Sequence, residues 1–354
     1  INQTMEQYLE EGRLRELEDA MIFLERKLSN GKTRLGLIGK LDLEQYSYEK
    51  GSGTPIRATE GTVLSRIPPR MKVRKNAPIE LPHIMVLIDD PKKEIIEPFL
   101  QKESKKQMQM IYSTTLMEQG GRVSGYLLSK EQADKVQKQL AGLADPARFA
   151  QFYHAEGKPV LTYAMGDGNH SLATAKACWE ELKPTLSEAE RQTHPARYAL
   201  VELVNLHDDS LEFEPIHRVL FGVDPKQLLA DLLAAYPGAH YGAGEGHQIT
   251  YVLPGERGGI LTVPHPTAQL EVGTLQTFLD QYLEAHGGKI DYIHGEDVVE
   301  QLVQQPDSIG FLLPGMGKDQ LFPTVIFDGA LPRKTFSMGE ARDKRFYLEA
   351  RKIK

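Results

Sequence analysis

Apolar residues recur at helical spacing over residues 4–28, among many charged side chains, and this pattern predicts an amphipathic helix at the start of the chain. Two short apolar runs, at 34–39 and 84–88, have polar residues or glycine at their ends and are typical of buried strands. From Lys130 onward the pattern predicts alternating helices and strands. The predicted helices are 132–143, 146–154, 171–183, 226–235, 275–285 and 296–304, and the predicted strands are 159–165, 197–206, 213–219, 249–253, 260–263 and 309–313.

This alternation predicts an α/β fold of the mixed α+β kind. A chain of 354 residues is long enough for two lobes. We expect a smaller N-terminal lobe over residues 1–125 and an α/β lobe over residues 126–354, with one continuous domain as the alternative.

The composition narrows the class of protein. Hydrophobic residues make up 40% and charged residues 26%, which is typical of globular proteins, and the net charge of −7 argues against nucleic acid as a partner. Cys178, the single cysteine, excludes an internal disulfide and favours a reducing compartment. No apolar run reaches the roughly 18–20 residues of a membrane span, and no signal peptide is recognisable. We therefore expect a cytoplasmic protein. Its oligomeric state stays open, as does the natural start of a chain numbered from Ile1.

The segment 166–171, Gly-Asp-Gly-Asn-His-Ser, separates a predicted strand from a predicted helix. Its glycines allow close approach of a ligand, and Asn169 or Ser171 can cap the helix, whose first amides favour an anion such as phosphate. Asp167 can hold a metal ion or accept a proton, and His170 can donate a hydrogen bond to a phosphoryl oxygen. The alternative is a plain strand–turn–helix junction in which Asp and Asn make ordinary turn hydrogen bonds. The residues alone leave both interpretations open.

An unusually basic block lies at residues 57–75 of this otherwise acidic chain. Its arginines can form a phosphate or carboxylate pocket, or an exposed basic strip. Glu60, which lies within this block, should stay ionised at neutral pH and either accept a proton or take part in a salt-bridge network. The arginines are Arg57, Arg66, Arg70 and Arg74.

Four segments, in the same order along the chain, resemble a prokaryotic family called domain of unknown function 1015. The turn at 166–176 resembles its Asp-Gly-His-His-Arg motif, and residues 57–62, with Arg66 and Arg70 after them, resemble its Arg-His-Glu-x-Thr block. The segments 213–218 and 331–335 complete the resemblance. This motif of the family is itself similar to the phosphate-binding turn of the ParB-like superfamily. That superfamily includes CTP-binding partition proteins and free-serine kinases.

This resemblance implies a ParB-like core with a strand–turn–helix phosphate site. It implies Glu60 as general base, Asp167 as a Mg²⁺ ligand or phosphoryl-positioning group, and His170 as a third catalytic residue. Asn169 and Ser171 depart from the usual His and Arg, and loss of the arginine removes a bidentate phosphate clamp. The phosphate- and substrate-binding residues that we predict are Arg57, Thr62, Arg66, Arg70, Gly168, Asn169, Ser171, Lys176, His217, Arg218, Arg333 and Lys334.

Three functions are compatible with these residues. The first is a small-molecule kinase that uses ATP, ADP or pyrophosphate, with Mg²⁺, to phosphorylate a metabolite hydroxyl, free L-serine being the leading acceptor. The second is a nucleotide-binding regulatory module without metabolite turnover, and the third is a phosphate-ester or pyrophosphate hydrolase. For His217, Arg218, Arg333 and Lys334 a purely structural role is the alternative.

Overall fold

The computed structural model describes residues 1–339, 341–344 and 346–354. The chain divides into two compact units, one formed by Ile1–Leu211 and Gly339–Lys354 and the other by Glu212–Met338. The division therefore lies elsewhere than the boundary near residue 125 that we expected. The reason is that strands from both sides of residue 125 hydrogen-bond to one another in a single sheet.

The first unit is a mixed α+β structure, as the sequence predicts. Its helices are α1 (Asn2–Glu10), α2 (Ile67–Arg74), α3 (Lys102–Lys106), α4 (Lys130–Leu143), α5 (Pro146–Tyr153), α6 (Asn169–Leu182) and α7 (Glu188–Thr193). Its strands are β1 (Ile22–Lys27), β2 (Thr33–Asp42), β3 (Tyr46–Ser47), β4 (Ile56–Arg57), β5 (Ile79–Glu80), β6 (Met85–Ile88), β7 (Gln109–Thr115), β8 (Arg122–Leu127), β9 (Tyr163–Asp167) and β10 (Tyr198–Asn205).

Nine of these strands form one sheet, in the order β3-β4-β9-β6-β10-β2-β1-β8-β7. Strand β10 is buried along almost its whole length and pairs parallel with β6 and antiparallel with β2, which confirms it as a central strand. Trp179 of α6 is fully buried in the core with Val86 and Met165 of the sheet. This packing fixes α6 against the sheet and so sets the direction in which the helix begins.

The first predicted helix, over residues 4–28, is wrong from residue 11 onward. Only α1 is helical, and Ile22–Lys27 is a strand that pairs antiparallel with β2 on one side and β8 on the other. Phe23 and Leu24 are both buried although neighbouring side chains of a strand point to opposite faces. A strand covered on both faces has an apolar run without alternation, which periodicity alone cannot distinguish from a helix.

The second unit has its own strands and helices. The strands are β11 (Phe213–Pro215), β12 (His217–Phe221), β13 (His240–Tyr241), β14 (His247–Leu253), β15 (Glu256–Val263), β16 (Lys289–Ile293), β17 (Ser308–Leu312) and β18 (Phe336–Met338), and the helices are α8 (Pro225–Ala235), α9 (Glu271–His286), α10 (Glu296–Leu302) and α11 (Leu321–Asp328). Six of the strands form one sheet of order β13-β15-β14-β17-β12-β16, whose paired strands are antiparallel. Residues 213–219, which we predicted as one strand, divide at Ile216 between β11 and β12, which belong to different sheets.

After the second unit, the chain returns to the first and ends with β19 (Arg351–Lys352), which pairs antiparallel with β5. Arg351 donates to Glu80 and to the carbonyl oxygens of Pro195 and Tyr198. This C-terminal segment is therefore an integral part of the first unit. Among the helices that the structure describes, none has the length and apolar character needed to cross a membrane.

Candidate functional site

The predicted strand–turn–helix junction is present: β9 ends at Asp167 and α6 begins at Asn169. Gly168 between them has φ +87°, a left-handed conformation, and an added Cβ atom would lie 2.4 Å from the carbonyl oxygen of His83. Both facts require glycine at this position. The Gly168 carbonyl accepts hydrogen bonds from the amides of Ser171 and Leu172, at 2.9 and 3.0 Å, which closes the first turn of the helix.

The start of α6 has no side-chain cap in the described part of the chain. Our expectation that Asn169 or Ser171 caps it is wrong, because both residues lie inside the helix and the capping position belongs to Gly168. The first amides of a helix have no intrahelical acceptor, and together with the helix dipole they attract an anion. Asn169 also has a buried Oδ1 atom for which the described residues provide no hydrogen-bond partner.

The Asp167 carboxylate is held by three groups. Its Oδ1 atom accepts a hydrogen bond from the amide of Gly168 at 2.7 Å. Its Oδ2 atom lies 2.9 Å from Nζ of Lys344 and 3.5 Å from Nε2 of His83. Burial favours the protonated acid, but the contacts with His83 and Lys344 outweigh it and hold the pKa of Asp167 well below its usual range. Asp167 is therefore an anion at neutral pH.

These contacts do not fit a Mg²⁺ site formed by the protein. Mg²⁺ requires several oxygen ligands, whereas Oδ2 of Asp167 faces an ammonium group and an imidazole. Among the described residues, no three His, Cys, Asp or Glu side chains are grouped as metal ligands would be.

His170 lies in the first turn of α6 and accepts a hydrogen bond at Nε2 from the backbone amide of Val63, at 3.3 Å. Burial lowers the pKa of His170, and the positive charges of Arg66 and Arg70 lower it further. The ring is therefore neutral at neutral pH. Because Nε2 is an acceptor, the proton lies on Nδ1, which can donate to a ligand.

The basic block lies directly beside this turn. Strand β4 pairs parallel with β9, Oγ1 of Thr59 donates to the carbonyl oxygen of Met165 at 2.8 Å, and α2 packs against α6. Thr62 carries a buried Oγ1 atom without a hydrogen-bond partner among the described residues, and Arg66 and Arg70 are exposed. Glu60 is half-buried in the same segment. The structure thus unites two sequence motifs separated by about a hundred residues.

Arg57 and Lys176, two of the predicted phosphate ligands, have structural partners instead. The buried Arg57 guanidinium donates to the carbonyl oxygens of Thr54, Pro159 and Val160 at 2.6–2.8 Å. Lys176 donates to the carbonyl oxygen of Leu43 at 2.9 Å and pairs with Glu180 at 2.7 Å. Both side chains are therefore engaged in structural contacts, and we assign neither of them to a phosphate site.

The remaining predicted residues belong to the second unit. His217 is buried and accepts at Nδ1 from the amide of Leu313, at 3.1 Å. Arg218 is fully buried, and burial lowers its pKa to about 10. It donates to Gln276 at 3.1 Å, to the carbonyl oxygen of Arg333 at 2.9 Å and to that of Ile216.

The side chains of Arg218 and Arg333 both lie over the ring of Tyr292, at 5.1 and 6.0 Å from its centroid. Arg333 also pairs with Asp280, and Lys334 is exposed with φ +55°. These contacts favour the structural alternative for Arg218 and Arg333.

A family model described as "Protein of unknown function (DUF1015)" matches residues 1–282. The chain belongs to this family. The match includes the turn at 166–171 and the basic block at 57–75, which confirms the resemblance found in the sequence. No curated protein matches the chain significantly.

Several solved structures are similar to this DUF1015 chain. A free serine kinase in complex with AMP is 10% identical, covers 85% of this chain and 87% of its own, and has a TM-score of 0.42. A conserved hypothetical protein from Pyrococcus furiosus is 10% identical, covers 90% and 95%, and has a TM-score of 0.41. SbnI with a C-terminal truncation, from Staphylococcus aureus, is 9% identical, covers 86% and 83%, and has a TM-score of 0.40.

Two residues at this candidate site were missed by the sequence analysis. His83 immediately precedes the apolar run 84–88 and resembles an ordinary polar strand boundary. Lys344 is 177 positions beyond Asp167 (344 − 167), in a basic stretch that carries no recognisable motif. The ring of Tyr347 packs on that of His83, at 5.0 Å between centroids. No local signal could have revealed contacts made by a chain segment that returns from a second unit.

Proposed function

We propose that this protein is a phosphotransferase that moves a phosphoryl group from a nucleotide or pyrophosphate to the hydroxyl of a small metabolite. The observation that carries this proposal is that, among the described residues, the start of α6 has no side-chain cap and the buried Thr62 Oγ1 and Asn169 Oδ1 atoms have no hydrogen-bond partner. A buried polar atom without a partner costs about 1–3 kcal/mol, so a site that keeps two such atoms is suited to a polar ligand.

The surrounding groups favour phosphate as that ligand. The first amides of α6 and Nδ1 of His170 are hydrogen-bond donors, and the Thr62 hydroxyl can donate as well. Arg66 and Arg70 add positive charge on the exposed side. The Asn169 amide offers an acceptor for a substrate hydroxyl, or a donor after rotation of the amide.

Glu60 is the group that we assign as general base. It lies in the segment that carries Thr62 and Arg66, and a carboxylate within hydrogen-bond reach of an alcohol can take its proton. In the transfer step, the acceptor oxygen forms a bond to the terminal phosphorus while the bond from that phosphorus to the bridging oxygen breaks. The hydroxyl proton passes to Glu60, and the shortened nucleotide or inorganic phosphate leaves. Arg66 and Arg70 stabilise the charge that spreads over the transferred group.

L-Serine is the first acceptor to test, because the turn motif is similar to that of a superfamily that includes free-serine kinases. Phosphorus NMR would follow the protein with the Mg²⁺ salts of ATP, ADP or pyrophosphate, with and without L-serine and other small alcohols. We expect a new phosphomonoester resonance that needs both substrates. Glu60→Gln should slow its appearance by about 10²–10⁴-fold.

Glu131→Gln is the matched control, since Glu131 is an exposed carboxylate in the first turn of α4. It should leave the rate unchanged. Donor hydrolysis without an acceptor would identify a hydrolase instead. Tight nucleotide binding without turnover of any acceptor would favour the regulatory module.

A further inference from the structure

Among the described residues, a side chain from the far end of the sequence forms an ion pair with Asp167. Nζ of Lys344 lies 2.9 Å from Oδ2 of Asp167, while Oδ1 of the same carboxylate accepts from the amide of Gly168 at 2.7 Å. The ammonium group is thus connected through one carboxylate to the start of α6. We propose that Asp167 positions Lys344, and that this ammonium group, rather than a metal ion held by Asp167, binds the phosphate anion. This inference rests on the phosphate site proposed above.

The two residues before Lys344 are held by hydrogen bonds to the first unit. Oδ1 and Oδ2 of the buried Asp343 accept from the amide and the hydroxyl of Ser29, each at 3.1 Å. Arg34 donates to the carbonyl oxygen of Asp343 at 3.2 Å, and Arg26 donates to that of Arg342 at 3.0 Å. A residue anchored this way loses little further backbone entropy when its side chain binds a ligand.

The side chain of Lys344 keeps access to solvent, with 32% of its surface exposed, and that of Asp167 keeps 29%. Both side chains of this ion pair are therefore open to an anion that approaches from solvent. Lysine binds phosphate as a compact point charge and does not need the planar geometry of a guanidinium. Arg57 and Lys176 cannot serve here without losing their carbonyl partners.

The same contacts explain why Asp167 is a poor metal ligand. A divalent cation at Oδ2 would have to displace the ammonium of Lys344 and approach the ring of His83, which lies 3.5 Å away. In the ligand complex that we propose, Asp167 holds the ammonium group of Lys344 close to the helix start. Asp167 is then a positioning residue, and the group that touches the anion is Lys344.

Calorimetric titration of the full chain with pyrophosphate, in EDTA, tests this directly. Lys344→Met should weaken binding by about tenfold to a hundredfold, the range for a hydrogen bond to a charged group. Lys344→Arg should stay within about threefold of wild type, because it restores the positive charge. Lys352→Met is the matched control: Lys352 is on the same segment and pairs with Glu16 at 2.6 Å, with half of its side chain exposed. It should bind as wild type does.

Equal affinity of wild type and Lys344→Met, or no pyrophosphate binding by wild type, overturns the inference. If Lys344→Met lowers the melting temperature, Lys344→Gln takes its place, since its amide can still donate to Asp167. Mn²⁺ titration followed by electron paramagnetic resonance, without phosphate, supplies the second readout. Tight Mn²⁺ binding that Asp167→Asn abolishes would also overturn the inference. The two proposals can fail separately. If pyrophosphate binding depends on Lys344 and Mn²⁺ does not bind tightly, but no phosphomonoester forms in the NMR experiment, the inference stands and the kinase proposal is removed.

Discussion

Gly168 lies so close to the backbone of His83 that no side chain fits between them. A Cβ atom on Gly168 would be 2.4 Å from the His83 carbonyl oxygen and 3.0 Å from Cα of Ile84. The strand that begins after His83 therefore packs directly on the turn that starts α6. Any residue other than glycine must displace a backbone rather than a flexible side chain, and the start of the helix must move with it.

Gly168→Ala should consequently lower the free energy of unfolding by more than the 1–2 kcal/mol that the left-handed conformation alone costs. Urea unfolding followed by circular dichroism measures the change. Gly142→Ala is the control, because Gly142 lies in the exposed face of α4 with open space around it. That substitution should stabilise the protein by about 0.5–1 kcal/mol. Equal effects of the two substitutions would contradict the packing argument.

The second prediction concerns a buried ion pair of the first unit. Arg34 donates to both carboxylate oxygens of Glu202 at 3.1 Å, and Tyr347 donates to the same carboxylate. Both charged side chains are almost entirely buried. Glu202→Gln leaves the Arg34 charge without its partner and should cost about 3–5 kcal/mol in urea unfolding.

The control for this substitution is Asp134→Asn, which removes an exposed partner of Lys130 on α4. We expect no measurable change in stability there, since exposed ion pairs contribute little. A cost for Glu202→Gln no larger than that for Asp134→Asn would show that the buried pair does not stabilise the first unit.

The strand–turn–helix junction could be predicted from the sequence because its determinants are local. The change of apolar spacing at Gly166–Ser171 separates strand from helix, and Gly168 occupies the position where a left-handed turn is needed. The closeness of this turn to Thr62 and Arg66 came only from the family resemblance. In the structure, the parallel pairing of β4 with β9 brings the two segments together.

The contacts of His83 and Lys344 could not be predicted, because they depend on long-range packing. Periodicity describes which face of an element is buried and says nothing about which distant segment covers it. The strand at Ile22–Lys27 illustrates the same limit, since its pairing with β2 and β8 determines its conformation more than its local pattern does. Arg57 shows the converse: residue type suggested a phosphate ligand, but three carbonyl oxygens surround its guanidinium.

The pH dependence of stability should reveal the ion pair of Asp167. The pKa of Asp167 is lowered in the folded state, so its stabilising contribution is present above its unfolded pKa of about 4 and is lost as the pH falls through the folded value. The difference in unfolding free energy between wild type and Asp167→Asn should therefore be largest near pH 7 and shrink below pH about 4. Urea unfolding at a series of pH values measures it. Lys344→Met should reduce this dependence, and a difference that grows at low pH would contradict the assignment.

Arg218 should contribute to stability and not to ligand binding, and Arg333 provides the comparison. Arg218→Met leaves the carbonyl oxygens of Ile216 and Arg333 without their buried donor and should cost about 2–4 kcal/mol. Arg333→Gln removes a half-exposed pair with Asp280 and should cost about 0–1 kcal/mol. Thermal unfolding would measure both. We expect the pyrophosphate affinity of folded Arg218→Met to equal that of wild type, and a weaker affinity would restore the binding role that the sequence suggested.

The ionisation of His170 gives a direct measure of the positive charge around the proposed phosphate site. Its pKa is lowered by burial and by Arg66 and Arg70, so the double substitution of both arginines by Gln should raise it. NMR titration of the imidazole C–H resonances follows this change at the single residue. Arg148→Gln is the control, since the Arg148 guanidinium lies over the ring of Phe152, and it should leave the pKa of His170 unchanged. Pyrophosphate bound at the site should also raise the pKa, because the anion favours the charged ring. A pKa that responds to neither the arginine substitutions nor pyrophosphate would show that the anion does not bind beside His170.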